Sequence, residues 1–236
     1  MLSDTFYLDG VDARSVGIYL QKPIVFSEAI PSIESETIPG RNGNLIFYTG
    51  SYENRSGSAS CFCLQKNVEK AISSASRFLM GKKGYRRLET SDDPDHYWLA
   101  RVVNSPEINM QLKTLAPFKI KFDCKPQRFL KSGEFDIDLS VITTLFNQYG
   151  QVALPLITLY GEGSGKLIVG DCVVEISKIT DFICLDSETQ NAYNAYGNQN
   201  SNINAPVFPA LGDGLTRIQI VGDITRGKII PRWWEL

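Results

Sequence analysis

His96 is the only histidine in the chain, so any triad or dyad that runs on an imidazole must pass through it. It stands in Ser91-Asp92-Asp93-Pro94-Asp95-His96-Tyr97-Trp98, where three aspartates and an imidazole are a donor set for a divalent cation. Asp and Pro are also the residues a hairpin turn uses. The spacing lacks the glycine at position six and the glutamate at position twelve of an EF-hand calcium loop. We read a turn between two strands. Cys61 and Cys63 are two apart in SASCFCL, which on a strand aims both thiols at one face. That is half of a metal site, but no second Cys or His pair accompanies it, so both are read as small core residues.

Gly161-Glu162-Gly163-Ser164-Gly165-Lys166 has the look of a phosphate loop. A P-loop needs four residues between its glycines and Ser or Thr after the lysine; here three intervene, and Leu167 follows Lys166. The segment reads instead as a flexible hairpin turn. Glycoside hydrolysis would need two carboxylates facing each other across a sugar. Asp136, Asp138, Asp181 and Asp186 are the candidates, mostly on the polar side of predicted strands, where solvated charge is the ordinary state. Aromatic and amide groups together make sugar sites, by stacking and planar hydrogen bonds. Tyr193 and Tyr196 stand in such a setting, QNAYNAYGNQNSNINAP, which otherwise reads as an exposed loop of Asn residues tolerant of left-handed backbone. Trp233 and Trp234 are adjacent, so on a strand one enters the core while the other covers an edge. No catalytic residue, cofactor site or metal site is assigned.

The elements that would position these residues have a period of two. Ile120, Phe122 and Cys124 alternate with Lys119, Lys121 and Asp123; Phe135, Ile137 and Leu139 alternate with Asp136 and Asp138; Ile218 and Ile220 alternate with Arg217 and Gln219. These are half-buried antiparallel strands. Further strands are predicted at Thr5–Leu8, Gly17–Gln21, Ser32–Ile38, Asn44–Tyr48, Gly57–Leu64, Tyr85–Glu89, Tyr97–Val103, Leu156–Leu159, Lys166–Val169, Cys172–Ser177 and Phe182–Leu185. Turn signals such as Asp9-Gly10, Asn42-Gly43 and Gly170-Asp171 separate them. The texture is that of a β-sandwich. From Asn67 to Met80 the period changes: Val68, Ala71, Ile72, Ala75, Phe78 and Leu79 mark one helical face. Asn67 is placed to cap this helix, Gly81 follows it, and Arg77, Lys82 and Lys83 lie near its C-terminal dipole. A lone amphipathic helix needs a sheet to lie on. A composition shift near Lys131-Ser132-Gly133 divides the chain into residues 1–133, with the helix, and residues 134–236. The last strand, Lys228–Trp234, can pack on either part.

Hydrophobic residues make up 43 % of the 236 residues, enough for real cores. Twenty-four Lys and Arg stand against 26 Asp and Glu, a net charge of -2. That balance gives no chain-wide attraction to nucleic acid or to an anionic membrane. No apolar run reaches the ~18 residues of a membrane helix, and MLSDTFYLDG lacks the basic start and apolar stretch of a secretory signal. Synthesis and folding in a cytoplasm are expected. The five cysteines, Cys61, Cys63, Cys124, Cys172 and Cys184, are an odd number in a chain too long to need staples.

The order of the motifs resembles a known family. Ile38-Pro39-Gly40-Arg41-Asn42-Gly43 is followed by Tyr52-Glu53-Asn54-Arg55, the helix, Tyr85-Arg86-Arg87-Leu88, Asp92-Asp93-Pro94-Asp95 and the run from Phe118 to Pro126. Leu185-Asp186-Ser187-Glu188, a Tyr in the next loop, Phe208-Pro209-Ala210-Leu211 and a Trp near the end complete it. Together they look like the distal tail proteins of siphophages, chiefly of those infecting Gram-positive hosts. The resemblance implies a mostly β protein with two parts: an N-terminal tail-tube-like β-sandwich with one α-helix, and a C-terminal galectin-like β-sandwich. It implies a structural protein of the virion tail tip, not an enzyme. A homo-hexameric ring would continue the DNA conduit below the tail tube. The major tail protein, the tail-associated protein and receptor-binding or other baseplate proteins would be its partners, without stable nucleic-acid binding or membrane insertion.

A head-to-tail ring needs two different complementary surfaces on each subunit. The loops at Pro39–Asn44 and Tyr52–Arg55 are the expected donors, with Arg41, Asn42, Tyr52 and Arg55 at the interface and the two arginines pairing with carboxylates of a neighbour. Carbohydrate binding to host cell-wall polysaccharide through Tyr193 and Tyr196 is the alternative expectation for the second part.

Overall fold

The computed structural model describes residues 4–64, 68–104, 115–139 and 142–236. Contacts divide the chain into two units, one up to Arg128 and one from Phe129 to Glu235. It is mostly β, with one α-helix among the described residues.

The first unit contains β1 (Phe6–Leu8), β2 (Val11–Asp12), β3 (Ile18–Leu20), β4 (Val25–Phe26), β5 (Pro31–Glu36), β6 (Leu45–Tyr52), β7 (Arg55–Leu64), α1 (Val68–Met80), β8 (Arg86–Thr90) and β9 (Asp93–Val102). β10 (Leu115–Leu130) carries the chain across the division. Hydrogen bonding orders the sheet β2-β1-β8-β9-β10-β7-β3, with β4 also on β7, while β5 and β6 pair only with each other. Alternation on β10 is as predicted: Phe118, Ile120, Phe122 and Cys124 are buried, and Lys119 and Lys121 between them are exposed. Antiparallel register sets Phe122 opposite Gly57 and Ile120 opposite Ala59, so large side chains face small ones. A methyl group on Gly57 would meet Phe122 Cβ and Phe26 Cε1 at 3.2 Å. Phe6 meets Phe122 edge-on at 5.9 Å, and Phe26 stacks on Trp98 at 4.3 Å.

α1 lays Ala75 and Leu79, flanked by half-buried Ile72 and Phe78, into this core. That is the helical face predicted from spacing. Its end is fastened by Arg86, which is 8 % exposed. One guanidinium nitrogen, Nη1, donates to Phe78 O at 2.6 Å, while Nε donates to Asp9 Oδ2 at 2.9 Å. The cap read at Asn67 lies outside the described residues.

The second unit contains β11 (Ile137–Leu139), β12 (Ile142–Asn147), β13 (Leu156–Val169), β14 (Cys172–Asp186), β15 (Asn191–Asn194), β16 (Gly197–Asn198), β17 (Ile203–Asn204), β18 (Gly214–Ile230) and β19 (Trp234–Glu235). Its sheet runs β11-β18-β13-β14-β15-β16, with β12 also on β18 and β17 also on β14. The segment Gly161–Lys166, read as a hairpin turn, is the middle of β13, so Leu156–Leu159 and Lys166–Val169 belong to one strand. The true hairpin follows at Gly170-Asp171. Glycines are needed inside β13 for close approach rather than for a turn. A Cβ on Gly161 would collide with the backbone oxygen of Asp223 on β18, and one on Gly165 would lie 2.7 Å from Val221 O.

Register shifts between Gly163 and Gly165 on the β14 side, and between Tyr160 and Gly161 on the β18 side, mark bulges. The inward parity of β14 accordingly changes from Val174 and Ile176 to Ile179 and Ile183, and that of β18 from Ile218, Ile220 and Ile224 to Ile229. All these residues reach one core, together with Ile157, Leu159, Leu167 and Val169. The C-terminal segment also joins it. Leu130 N donates to Trp233 O at 2.9 Å and Arg232 N to Gly133 O at 2.8 Å. The Trp233 ring is in the core, while half-buried Trp234 uses Nε1 to donate to Val152 O at 3.0 Å. Both indoles pack against the same core, Trp233 within it and Trp234 at its margin, because Trp233 precedes β19 rather than lying on it.

Candidate assembly site

Every residue from Pro31 to Tyr52 is exposed or half-buried. β5 and β6 form a hairpin with no third strand among the described residues, held by its ladder and by Glu53 N donating to Ile30 O at 2.9 Å. At its tip the hydrogen-bonded turn is at Pro39-Gly40, closed by Arg41 N donating to Ile38 O at 3.2 Å, and the predicted Asn42-Gly43 is a bend just after it; both glycines take a φ of 81° that L side chains resist. Thr49 Oγ1 braces the ladder by donating to Ser32 O at 3.1 Å. β6 alone, at ~3.3 Å per residue, reaches roughly 25 Å.

Such a hairpin is marginal in water unless something covers it. Here it shows apolar side chains: Ile33, Ile46 and Phe47 are about half exposed, and Tyr48 is 74 % exposed. Glu34 and Glu36 add negative charge along β5.

Arg41 and Asn42 lie exposed at the tip of this arm, and Tyr52, half-buried, at its base. The predicted four therefore do not form one cluster. Arg55 is a correction. It is only 7 % exposed, and its Nε donates to Ser27 O at 2.7 Å, so the guanidinium anchors β7 within its own unit instead of facing a neighbour's carboxylate. The sequence does not single out the β5–β6 apolar residues, because the unbroken run Leu45-Ile46-Phe47-Tyr48 is also what a strand buried on both faces shows.

The other chemical candidates are engaged structurally. His96 Nδ1 is 2.7 Å from Asp93 Oδ1, and Arg128 donates to Asp93 Oδ2 through Nε at 3.0 Å and Nη2 at 2.6 Å. Ser91 and Asp92 form the turn, as read, and Asp93 already begins β9. Burial pushes the Cys61 thiol up to about 12 and Cys63 to about 11, so neither is a thiolate at neutral pH. Asp136 holds Lys228 at 2.9 Å.

Asp186 is not on a solvated strand face: it is 9 % exposed. Burial favours its neutral form, but Arg232 at 2.6 Å and the Glu188 amide at 3.1 Å outweigh that and hold its pKa below the ordinary carboxylate range. Among the described residues, no group of three or more His, Cys, Asp or Glu is arranged to hold a metal.

The Asn-rich segment is more ordered than the predicted loop. It forms β15, β16, β17 and a short 3-10 turn, and no Asn in it has a positive φ. Its amide oxygens serve its own backbone: Asn194 Oδ1 accepts from Tyr196 N at 2.9 Å, Asn198 Oδ1 from Asn200 N at 2.9 Å, and Asn200 Oδ1 from Ala192 N at 2.6 Å. Tyr193 is half-buried opposite Asn198, and Tyr196 is 83 % exposed in the turn. The tyrosines are close in sequence, but the amides beside them are occupied.

The described residues make two β units, with one helix in the first and a long hairpin whose apolar side chains are exposed. No protein-family model matches the chain, and no curated protein matches it. Among solved structures, the SPP1 Dit (gp 19.1) protein has this fold, with a TM-score of 0.76 at 14 % sequence identity. The match covers 96 % of this chain and 97 % of that one. That protein is described as a paradigm of the hub adsorption apparatus in phages infecting Gram-positive bacteria. The resemblance to distal tail proteins read from the motif order is borne out at the level of the fold.

Proposed function

We propose that this chain is a structural distal tail protein, forming a hexameric ring at the virion tail tip and joining the tail tube to the tail-associated and receptor-binding proteins. The observation that carries the reading is the extent of the fold match, which takes in 96 % of this chain and 97 % of that one. Residues 1–133 would be the ring-forming, tail-tube-like part, and residues 134–236 the galectin-like part that faces other baseplate proteins.

The β5–β6 arm supports the ring reading. Its apolar residues would be covered by the next copy, and Glu34 and Glu36 have complements in exposed Lys119 and Lys121 of β10. Arm and receiving face differ, as a head-to-tail ring requires. Arg41 and Asn42 at the tip, and Tyr52 at the base, would contribute to this contact.

Negative-stain electron microscopy and light scattering of the purified chain test the proposal. Closed rings with six times the monomer's 26.3 kDa are expected. A chain that stays monomeric at high concentration, also when mixed with its tail partners, would overturn it.

A further inference from the structure

One line of residues across the second sheet has no part in the assembly just proposed. Register sets Lys166 of β13 beside Val221 of β18 and beside Glu175 of β14, and Glu175 beside Asn204 of β17. Four neighbouring strands thus present four side chains on a single rung. Lys166 Nζ donates to Glu175 Oε1 at 2.6 Å, and Asn204 Nδ2 reaches Glu175 Oε2 at 3.4 Å. The rung lines a groove of about 580 Å³, within the ~300–1,000 Å³ usual for small-molecule sites. Ser177 and Ser201 also line it, and the backbones of Gly165 and Gly222 leave part of its wall without side chains.

We propose that this groove binds a neutral saccharide. A sugar hydroxyl both donates and accepts, and the groove offers both roles in one row. The Glu175 carboxylate can accept from two vicinal hydroxyls, while the Lys166 ammonium and the Asn204 amide donate to the same pair. Val221, 42 % exposed, supplies an apolar contact for the C–H face of a ring. One cation and one anion cancel, so a polyanion or polycation gains nothing that a neutral polyol does not. Lys166 and Glu175 keep about half of their side-chain surface exposed, which leaves their remaining donors and acceptors available. The place differs from the tyrosine pair of the Asn-rich segment, whose neighbouring amides are already bonded. This inference does not rest on ring formation, since all its residues lie in the second unit.

Saturation-transfer NMR on the full chain, with glucose, galactose, rhamnose and N-acetylglucosamine as separate probes at millimolar concentration, decides the matter. At least one probe should receive saturation. Glu175→Gln and Lys166→Met should each weaken its binding by about tenfold or more, the worth of a charged hydrogen bond, while Tyr196→Ala leaves it unchanged. Both variants should assemble as the parent does, because assembly is read separately by light scattering. Transfer to none of the probes, or transfer that survives both substitutions, would refute the site, whatever the outcome for the ring.

Discussion

Several single residues make the structure answerable to measurement. Gly161 admits no Cβ, since the backbone of Asp223 occupies the space. Gly161→Ala should cost about 1–3 kcal/mol, the range for overpacking a tight site, seen as a lower urea midpoint. The Asp186–Arg232 pair carries a pH signature. Asp186 has a folded pKa below the ordinary carboxylate value it takes when unfolded, so its stabilisation is fully present above pH ~4 and fades as pH falls through the folded value. Asp186→Asn should lower stability at pH 7 by about 1.5–3 kcal/mol. The gap between parent and variant should narrow in acid denaturation below pH ~4; a gap independent of pH would contradict the geometry. Cys61, Cys63 and Cys124 are buried, with thiols raised to about 12, 11 and 12. They should resist Ellman's reagent at pH 8 in the native protein and react in denaturant.

In the proposed ring, the β5–β6 arm is the joining element. Phe47 is exposed in the single chain and belongs to neither core. Phe47→Glu should therefore leave the thermal midpoint of the isolated chain nearly unchanged, within the roughly 0.5 kcal/mol of most surface substitutions. The same change should abolish ring formation in light scattering. Loss of folding, or rings that form normally, would each count against the arm as the joining element. This is also the scale at which legibility in sequence gives out. Ile120, Phe122 and Cys124 announce β10 because one strand's alternation is local, and Ala75 and Leu79 announce α1 for the same reason. The interior of β13 is not announced. Gly161 and Gly165 look like a turn unless one knows that Asp223 and Val221, far along the chain, lie against them. Bulges in β14 and β18 then reverse the parity that a reader of alternation follows. Arg55 is hidden for a similar reason, since its partner Ser27 O comes from a distant segment. The rung is legible only as far as Lys166 and Glu175, which one hairpin joins; Asn204 and Val221 reach it by long-range register.

For the whole molecule, fold and function stand on different footings. Motif order pointed to distal tail proteins, and a fold shared over nearly the full length with SPP1 Dit agrees with it at 14 % identity. At that identity the two chains share the fold while most positions differ. The role at a tail tip is the proposal built on that fold. Its most direct test is gold-labelled antibody against this chain, viewed by electron microscopy on the intact virions purified from the source that encodes it. Label confined to the distal end of the tail is the predicted result. Label along the tube or on the capsid, or virions that lack the chain altogether, would contradict it.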